Sequence, residues 1–186
     1  MTRWASPEVI AAAISGDKSA VERLIVAVWP ACFRLAASLL GDSNLAQDAA
    51  QEACVVVHRK IATIRNHSAF DAWLYRIVTR ESARMRRRNA ATAAAAYEQG
   101  FTSDNAAEVD VWRALAQLSH ALREVTVLFY FDDLKSEEIA AALGIPHATV
   151  RTRLARARHR LRELLGDDYN VEAPAALTKE VTQHAC

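Results

Sequence analysis

Between Ser136 and Leu165 the chain reads SEEIAAALGIPHATVRTRLARARHRLRELL, a stretch that few folds can accept. Gly144 stands where a helix ends in a left-handed residue, and Pro146 forbids simple continuation. Before it, Ser136 is positioned as an N-cap, with Glu137 and Glu138 in the first turn where the macrodipole favours acid. Ile139, Ala140 and Leu143 give that short helix its apolar spacing, and a second helix starts near His147 to Thr149. At about 100° per residue, Val150, Leu154, Ala157, Leu161, Leu164 and Leu165 share one stripe. Thr149, Thr152, Arg153 and Arg156 fall on the opposite side, and Arg151, Arg158 and Arg162 flank the stripe. A short helix, a glycine turn and a second basic helix form the helix-turn-helix pattern, whose second helix enters the major groove of DNA. Arginine suits bidentate contact to guanine edges and contact to phosphates alike. The competing reading is a solvated basic helix in an ordinary bundle. The turn chemistry and the segregation of the faces favour DNA.

The rest of the chain, 186 residues in all, suits one mid-sized domain or two small ones. Alanine and leucine abound while glycine and proline are few, so an all-α protein is expected. Net charge is only +1 but unevenly spread. Residues 1–88 carry 13 basic and 8 acidic side chains, and residues 89–135 carry 3 and 7. Residues 136–165 carry 6 and 3, and residues 166–186 carry 1 and 4. Two basic blocks separated by acidic ones point to two contacts with a polyanion.

No apolar run approaches the roughly 20 residues that span a bilayer; Leu24 to Phe33 is the longest, and Pro30 interrupts it. The N-terminus, MTRWASPEVI, lacks the pattern of a secretory signal, so a cytoplasmic protein with no stable membrane insertion is expected. Cys32, Cys54 and Cys186 are widely spaced and contain no CxxC pair, which argues against a disulfide framework or a zinc site. Cys32 and Cys54 read as small buried apolar groups. His184 and Cys186 make at most a weak, adventitious metal site on a terminal tail, so no metal or other cofactor is expected.

Taken in order, Ser6-Pro7-Glu8 starts a helix that Gly16-Asp17 breaks. A second helix carries Val21, Leu24, Ile25 and Val28, kinks or restarts at Pro30, and resumes through Leu35, Leu39 and Leu40 to Gly41-Asp42. The next, from about Asn44 to Ile64, places Leu45, Ala49, Ala53, Val56 and Lys60 along one side and Gln47, Gln51, Cys54 and His58 along the other. Its glutamines, beside Asp48 and Glu52, fit a solvated face and a polar docking surface equally. After the polar loop RNHSA, a helix begins near Ser68 and buries Phe70, Trp73, Leu74, Ile77 and Val78. Arg76, Arg80 and Arg87 lie together on another side of it, with Arg84 close by. Capping explains some arginines at a helix C-terminus; this many on one flank points to nucleic acid. Residues 89–106 read as a linker, flexible from Gly100 to Asn105. Helices then carry Val111, Leu115 and Leu118, and Leu122, Val125, Leu128 and Phe129, before Asp132-Asp133 lead into the helix-turn-helix. After Gly166 the chain reads as a polar, poorly ordered tail.

This order of motifs resembles the extracytoplasmic-function (ECF) class of sigma factors, minimal two-domain members of the sigma-70 family. LKSEEIAAALGIPHATVRTRLARARHRLRELL resembles the family's region four almost position by position, and FDAWLYRIV with the arginines after it resembles the end of region two. Gly16-Asp17, Gly41-Asp42 and Gln51-Glu52 also fall where the family has them. The resemblance implies region two over residues 5–88, a linker over 89–106, region four over 107–165 and a tail over 166–186. Region four would read the upstream (minus thirty-five) promoter element with Thr149, Arg151, Thr152, Arg153 and Arg156. Region two would recognise and open the downstream (minus ten) element with Asn66, His67 and Ser68 of the loop and Arg76, Arg80, Arg84 and Arg87 of the helix. Asp48, Gln51, Glu52 and Val55 would dock core RNA polymerase, and an anti-sigma factor would be a further partner. Cys54 and His58 stand where the family usually has an aromatic, and Arg80 and Arg84 where Asn and Asp are typical.

The alternative is a stand-alone helix-turn-helix regulator, against which the second basic block argues. No GxSxG, P-loop, HExxH or clustered carboxylate pair points to an enzyme, and no catalytic residue is assigned.

Overall fold

The computed structural model describes residues 4–89 and 106–166, and the side chains of the second segment from Val111 onward. Every regular element among them is helical. The chain divides into two compact units, Met1–Ala96 and Tyr97–Cys186. Of the expected linker at 89–106, residues 90–105 lie outside the described residues, as does the tail after Gly166 with His184 and Cys186; Asn89 caps the helix that ends at Arg88, and Ala106 already begins the next one.

The first unit comprises α1 (Pro7–Ile14), α2 (Lys18–Leu40), α3 (Ser43–Lys60) and α4 (Phe70–Arg88), with short 3-10 turns at Ile61–Thr63 and His67–Ala69. Its helices are started by local chemistry. Ser6 accepts from the Val9 N–H at 3.3 Å, Asp17 from Ala20 at 3.2 Å and Asp42 from Leu45 at 2.9 Å, so each supplies an N-cap. Gly16 and Gly41 precede the two aspartates at φ 91° and 69°, a backbone that an L side chain resists. The Gly-Asp pair thus ends one helix and begins the next.

α2 is the central element and packs against α1, α3 and α4. Pro30 neither stops nor restarts it: one 23-residue helix runs through the proline. Proline removes the N–H that would reach the Val26 carbonyl, but Pro30 and Val26 are both exposed, with Val26 at 75%. Water can satisfy the orphaned carbonyl there. The continuous helix also corrects the expectation of no bilayer-length apolar run, since by length and composition it could cross a membrane. Half of that apolar window is buried in the unit, as a core helix requires.

α3 is rotated from the expected register. Its core stripe is Ala46, Ala49, Ala50, Ala53, Cys54 and Val57, whereas Lys60 is exposed and Leu45 and Val56 are half-buried. Packing through alanines allows close approach to α2, which draws in the small residues and leaves the larger ones at the margin. Cys54 therefore joins Cys32 inside, as its apolar character suggested. On α4, Phe70, Leu74, Ile77 and Val78 are buried as expected, but Trp73 is only half-buried, its ring 6.0 Å from that of Phe70.

The second unit comprises α5 (Ala106–Gln117), α6 (His120–Tyr130), α7 (Ser136–Leu143) and α8 (His147–Leu165). α8 packs on the other three. Its core gathers Val111, Trp112, Leu115, Leu118 and Tyr130 around Ala157 and Leu161 of α8. Arg123 is also buried, at 8% exposure. It donates from Nε to the Leu115 carbonyl at 2.8 Å, and from a terminal nitrogen to those of Ala116 and, at 3.2 Å, Leu118. These carbonyls lie at and just past the end of α5, where a cation meets the negative pole of the helix; the Leu115 oxygen also accepts from the Leu118 N–H at 3.1 Å. Asp133, at φ 51°, turns the chain so that the Leu134 N–H returns to the Leu128 carbonyl at 3.0 Å.

Candidate nucleic-acid interface

The helix-turn-helix forms as the turn residues dictate. Ser136 is the first helical residue of α7 and not its cap. Lys135 takes the cap position, its N–H donating to Glu138 Oε2 at 2.8 Å, because a glutamate at the third helical position can reach back to it. Gly144 adopts φ 65° and its N–H meets the Ala140 carbonyl. Pro146 then occupies the N-cap of α8, and His147 Nε2 lies 3.5 Å from Glu137 of α7.

Val150, Leu154, Ala157 and Leu161 hold α8 to the core, with Leu164 and Leu165 half-buried at its end. Arg151, Thr152 and Arg156 stand exposed. Thr149 and Arg153 are half-buried, closer to the core than an opposite face would allow, because each lies on the flank of the buried stripe. Thr152 donates its hydroxyl to the Ala148 carbonyl at 2.9 Å, which leaves its oxygen lone pairs and its methyl for a base edge.

Other cations of α8 are occupied. Arg158 donates from Nε to the Tyr130 hydroxyl at 3.0 Å and lies over the Phe129 ring, 5.8 Å from its centroid. Arg160 donates to Glu163 at 2.8 Å and holds that carboxyl below the usual carboxylate range, with His159 adding a smaller attraction. On the Arg151 flank, Phe129, Ser136, His147, Arg151, Thr152 and Arg158 border an open groove of about 730 Å³. Its basic rim suits a phosphate-bearing strand.

In the first unit, Arg76, Arg80, Arg84 and Arg87 are all exposed on one face of α4, spread over about 16 Å of helix. Arg84 differs from what its sequence suggested: its guanidinium lies 3.2 Å from Glu81, a carboxylate that α4 keeps largely buried. The i, i+3 spacing was the legible signal. Beside this face, Asn66 caps the turn His67–Ala69 by accepting from the Ser68 N–H at 3.0 Å, and Asn66, His67 and Ser68 are exposed. On α3, Asp48, Gln51, Glu52 and Val55 form one exposed stripe, Val55 at 40%. Among the described residues no three potential metal ligands cluster.

Two helical units, one containing a helix-turn-helix with exposed basic residues and the other bearing an arginine face, have the build of a DNA-binding protein. The comparisons give its family. Residues 24–92 match the model of sigma-70 region 2, and residues 108–161 that of sigma-70 region 4. The ECF RNA polymerase sigma factor SigM of Mycobacterium tuberculosis is 34% identical over 164 residues, covering 86% of this chain and 84% of the relative. The RNA polymerase sigma-H factor of Pseudomonas aeruginosa is 31% identical over 170 residues, covering 81% and 88%. Among solved structures, the sigma factor RpoE in complex with the anti-sigma factor NepR from Bartonella quintana matches with a TM-score of 0.64 at 27% identity, covering 80% of this chain and 98% of that one. CnrH in complex with the cytosolic domain of CnrY matches at 0.65 and 26%, covering 88% and 98%. The chain belongs to the sigma-70 family, in its ECF class, and is a promoter-directing transcription initiation factor. A stand-alone regulator is not favoured, since its N-terminal unit would have no reason to match region 2.

Proposed function

We propose that this chain binds core RNA polymerase through the α3 stripe of Asp48, Gln51, Glu52 and Val55 and carries it to promoters in the cytoplasm. Thr149, Arg151, Thr152, Arg153 and Arg156 read the upstream element from the major groove, while Arg158 stays clamped and orients the helix. Asn66, His67 and Ser68 receive an unstacked base of the downstream element, and Arg76, Arg80, Arg84 and Arg87 track the backbone of the freed strand. Residues 5–88 and 107–165 act as the two functional domains, joined by 89–106. No step requires a catalytic residue of this chain. An anti-sigma factor occludes one or both units, by analogy with the complexes of RpoE and CnrH.

The observation that carries the reading is the pair of exposed arginine faces, one on each unit, with an acidic-polar stripe on a third face. Run-off transcription with core enzyme on promoter fragments tests it. Promoter-dependent product is expected only when the protein is added, and no product from any fragment selected by the reconstituted holoenzyme would overturn it.

A further inference from the structure

Helix α8 and the sequence that follows it carry opposite charge. Between His147 and Leu165 stand six arginines and one carboxylate, Glu163. Past Gly166 the chain reads DDYNVEAPAALTKEVTQHAC, whose first six residues hold Asp167, Asp168 and Glu172 and no basic side chain. The arginines are not spread evenly round the helix. At about 100° per residue, Arg151, Ala155, Arg158 and Arg162 fall within about 60° of one another, while Arg153 and Arg160 lie on the far flank. Arg151, Ala155 and Arg158 of that row line the open groove with Phe129, Ser136 and His147. The row ends where the helix ends, since the Gly166 N–H donates to the Arg162 carbonyl at 2.9 Å.

Geometry lets the acidic segment reach the groove. Gly166 adopts φ 89° and ψ 160°, a conformation essentially reserved for glycine, so the chain leaves the helix axis directly above Arg162. From there back to Arg151 is 15 residues of helix, about 22 Å at 1.5 Å each. An extended chain covers about 3.3–3.6 Å per residue, so about seven residues span that distance. Residues 167–173 are those seven, and they contain all three acids. Carboxylates engage guanidinium forks as phosphates do. Attachment at one end of the row also favours this segment over any acid on another molecule, because the tether keeps its local concentration high.

We propose that residues 167–173 fold back along α8 and set Asp167, Asp168 and Glu172 against the row of Arg162, Arg158 and Arg151, so that the chain occupies its own DNA-reading groove. The regulatory part rests on the reading of this face as the one that meets the upstream element. A short flexible tether gives an effective concentration in the millimolar range, so a contact whose own dissociation constant is a few tenths of a millimolar holds DNA back by about fivefold. The segment is an internal competitor. A duplex that makes the full set of base and phosphate contacts displaces it, and weaker contacts with other DNA do not.

The test uses the full chain with Cys186→Ser and Val171→Cys, combined in turn with Ala155→Cys or Arg160→Cys. Position 155 lies within the row; position 160 lies on the far flank and nearer the root of the segment, so an undirected tail would link it at least as often. Under mild oxidation the link to position 155 should form at least about fivefold faster, since docking raises the local concentration there. Asp167→Asn, Asp168→Asn and Glu172→Gln together should abolish that preference, as should about 1 M salt, where the screening length is about 3 Å. Without the added cysteines, the same three substitutions should tighten binding to a duplex with a selected upstream element by about fivefold at low salt. Equal linking at 155 and 160, a preference that survives neutralisation, links between molecules, or equal duplex affinity of neutralised and unaltered chains would each overturn the proposal. The link forms without DNA, so its pattern judges the docking even if neither chain binds the duplex, a result that would overturn the promoter reading itself.

Discussion

Replacing Arg123 with methionine should loosen the helix-turn-helix without touching a residue that meets DNA. Arg123 is buried and its guanidinium serves the carbonyls of Leu115, Ala116 and Leu118, where α5 ends against the core of α8. Methionine keeps much of the side-chain length and packs well, so the loss is mainly polar. A hydrogen bond to a charged group contributes about 1.5–3 kcal/mol. Three carbonyls share one donor group and water can rescue part of the loss, so a net cost of about 3–5 kcal/mol is expected, the range for breaking a buried charged network. A unit of this size has little stability to spare. In peptide-resolved hydrogen exchange on the full chain, protection across residues 111–165 should fall by about 10²- to 5 × 10³-fold, while residues 7–88 keep theirs. Upstream-element binding should weaken in step. Arg123→Lys, with one charge centre in place of a fork, should fall between. A loss of protection under about tenfold, equivalent to about 1.4 kcal/mol, would mean that water replaces the arginine without difficulty, and the account of α5 would be wrong.

Four further outcomes are expected. Arg153→Ala should cost about 1–3 kcal/mol of upstream-element binding at particular base pairs if the side chain is bidentate to a base; competition binding to a set of single-base variants reads this, and a uniform loss would make it a phosphate contact. Arg80→Ala should reduce the salt dependence of single-strand binding by more than Arg84→Ala, because Glu81 already engages Arg84; a salt titration in which the two variants coincide would refute the difference. Asp42→Ala should destabilise the first unit by about 1 kcal/mol through loss of the α3 cap, visible as a lower urea midpoint. For Glu163, Arg160 lowers the folded-state carboxyl below its unfolded value. Its contribution is thus present above the ordinary carboxylate range and disappears as pH falls through the folded value; being exposed, it should be small and screened, so Glu163→Gln should alter the acid limb of a thermal-melt series only at low salt.

What the sequence made legible is what local chemistry controls. The helix-turn-helix rests on Gly144 and Pro146, whose backbone preferences hold in any context, and the joints at Gly16-Asp17 and Gly41-Asp42 rest on a left-handed glycine and a capping carboxylate. Both arginine faces follow from helical spacing. Legibility failed where a residue's role depends on its neighbours. Alanines have too little hydrophobic signal to set the face of α3, so Leu45 and Val56 suggested a stripe that close packing on α2 overrides. Pro30 looks like a break until its orphaned carbonyl is seen to face water. Arg123 resembles any surface arginine, since nothing local shows that carbonyls eight residues back will enclose it. The capping role of Lys135 depends on Glu138 and not on its own side chain.

The division of labour along α8 has an evolutionary consequence. Val150, Leu154, Ala157 and Leu161 anchor the helix, Arg158 fixes its rotation against Tyr130 and Phe129, and Arg151, Thr152 and Arg156 bear none of that load. On the proposed reading, mutations at the last three positions would alter what the helix reads at little cost in stability. A duplicated copy of such a gene can acquire a new set of target promoters one substitution at a time, every intermediate remaining folded. Thr149 and Arg153, set closer to the core, have less freedom to change without a cost in packing.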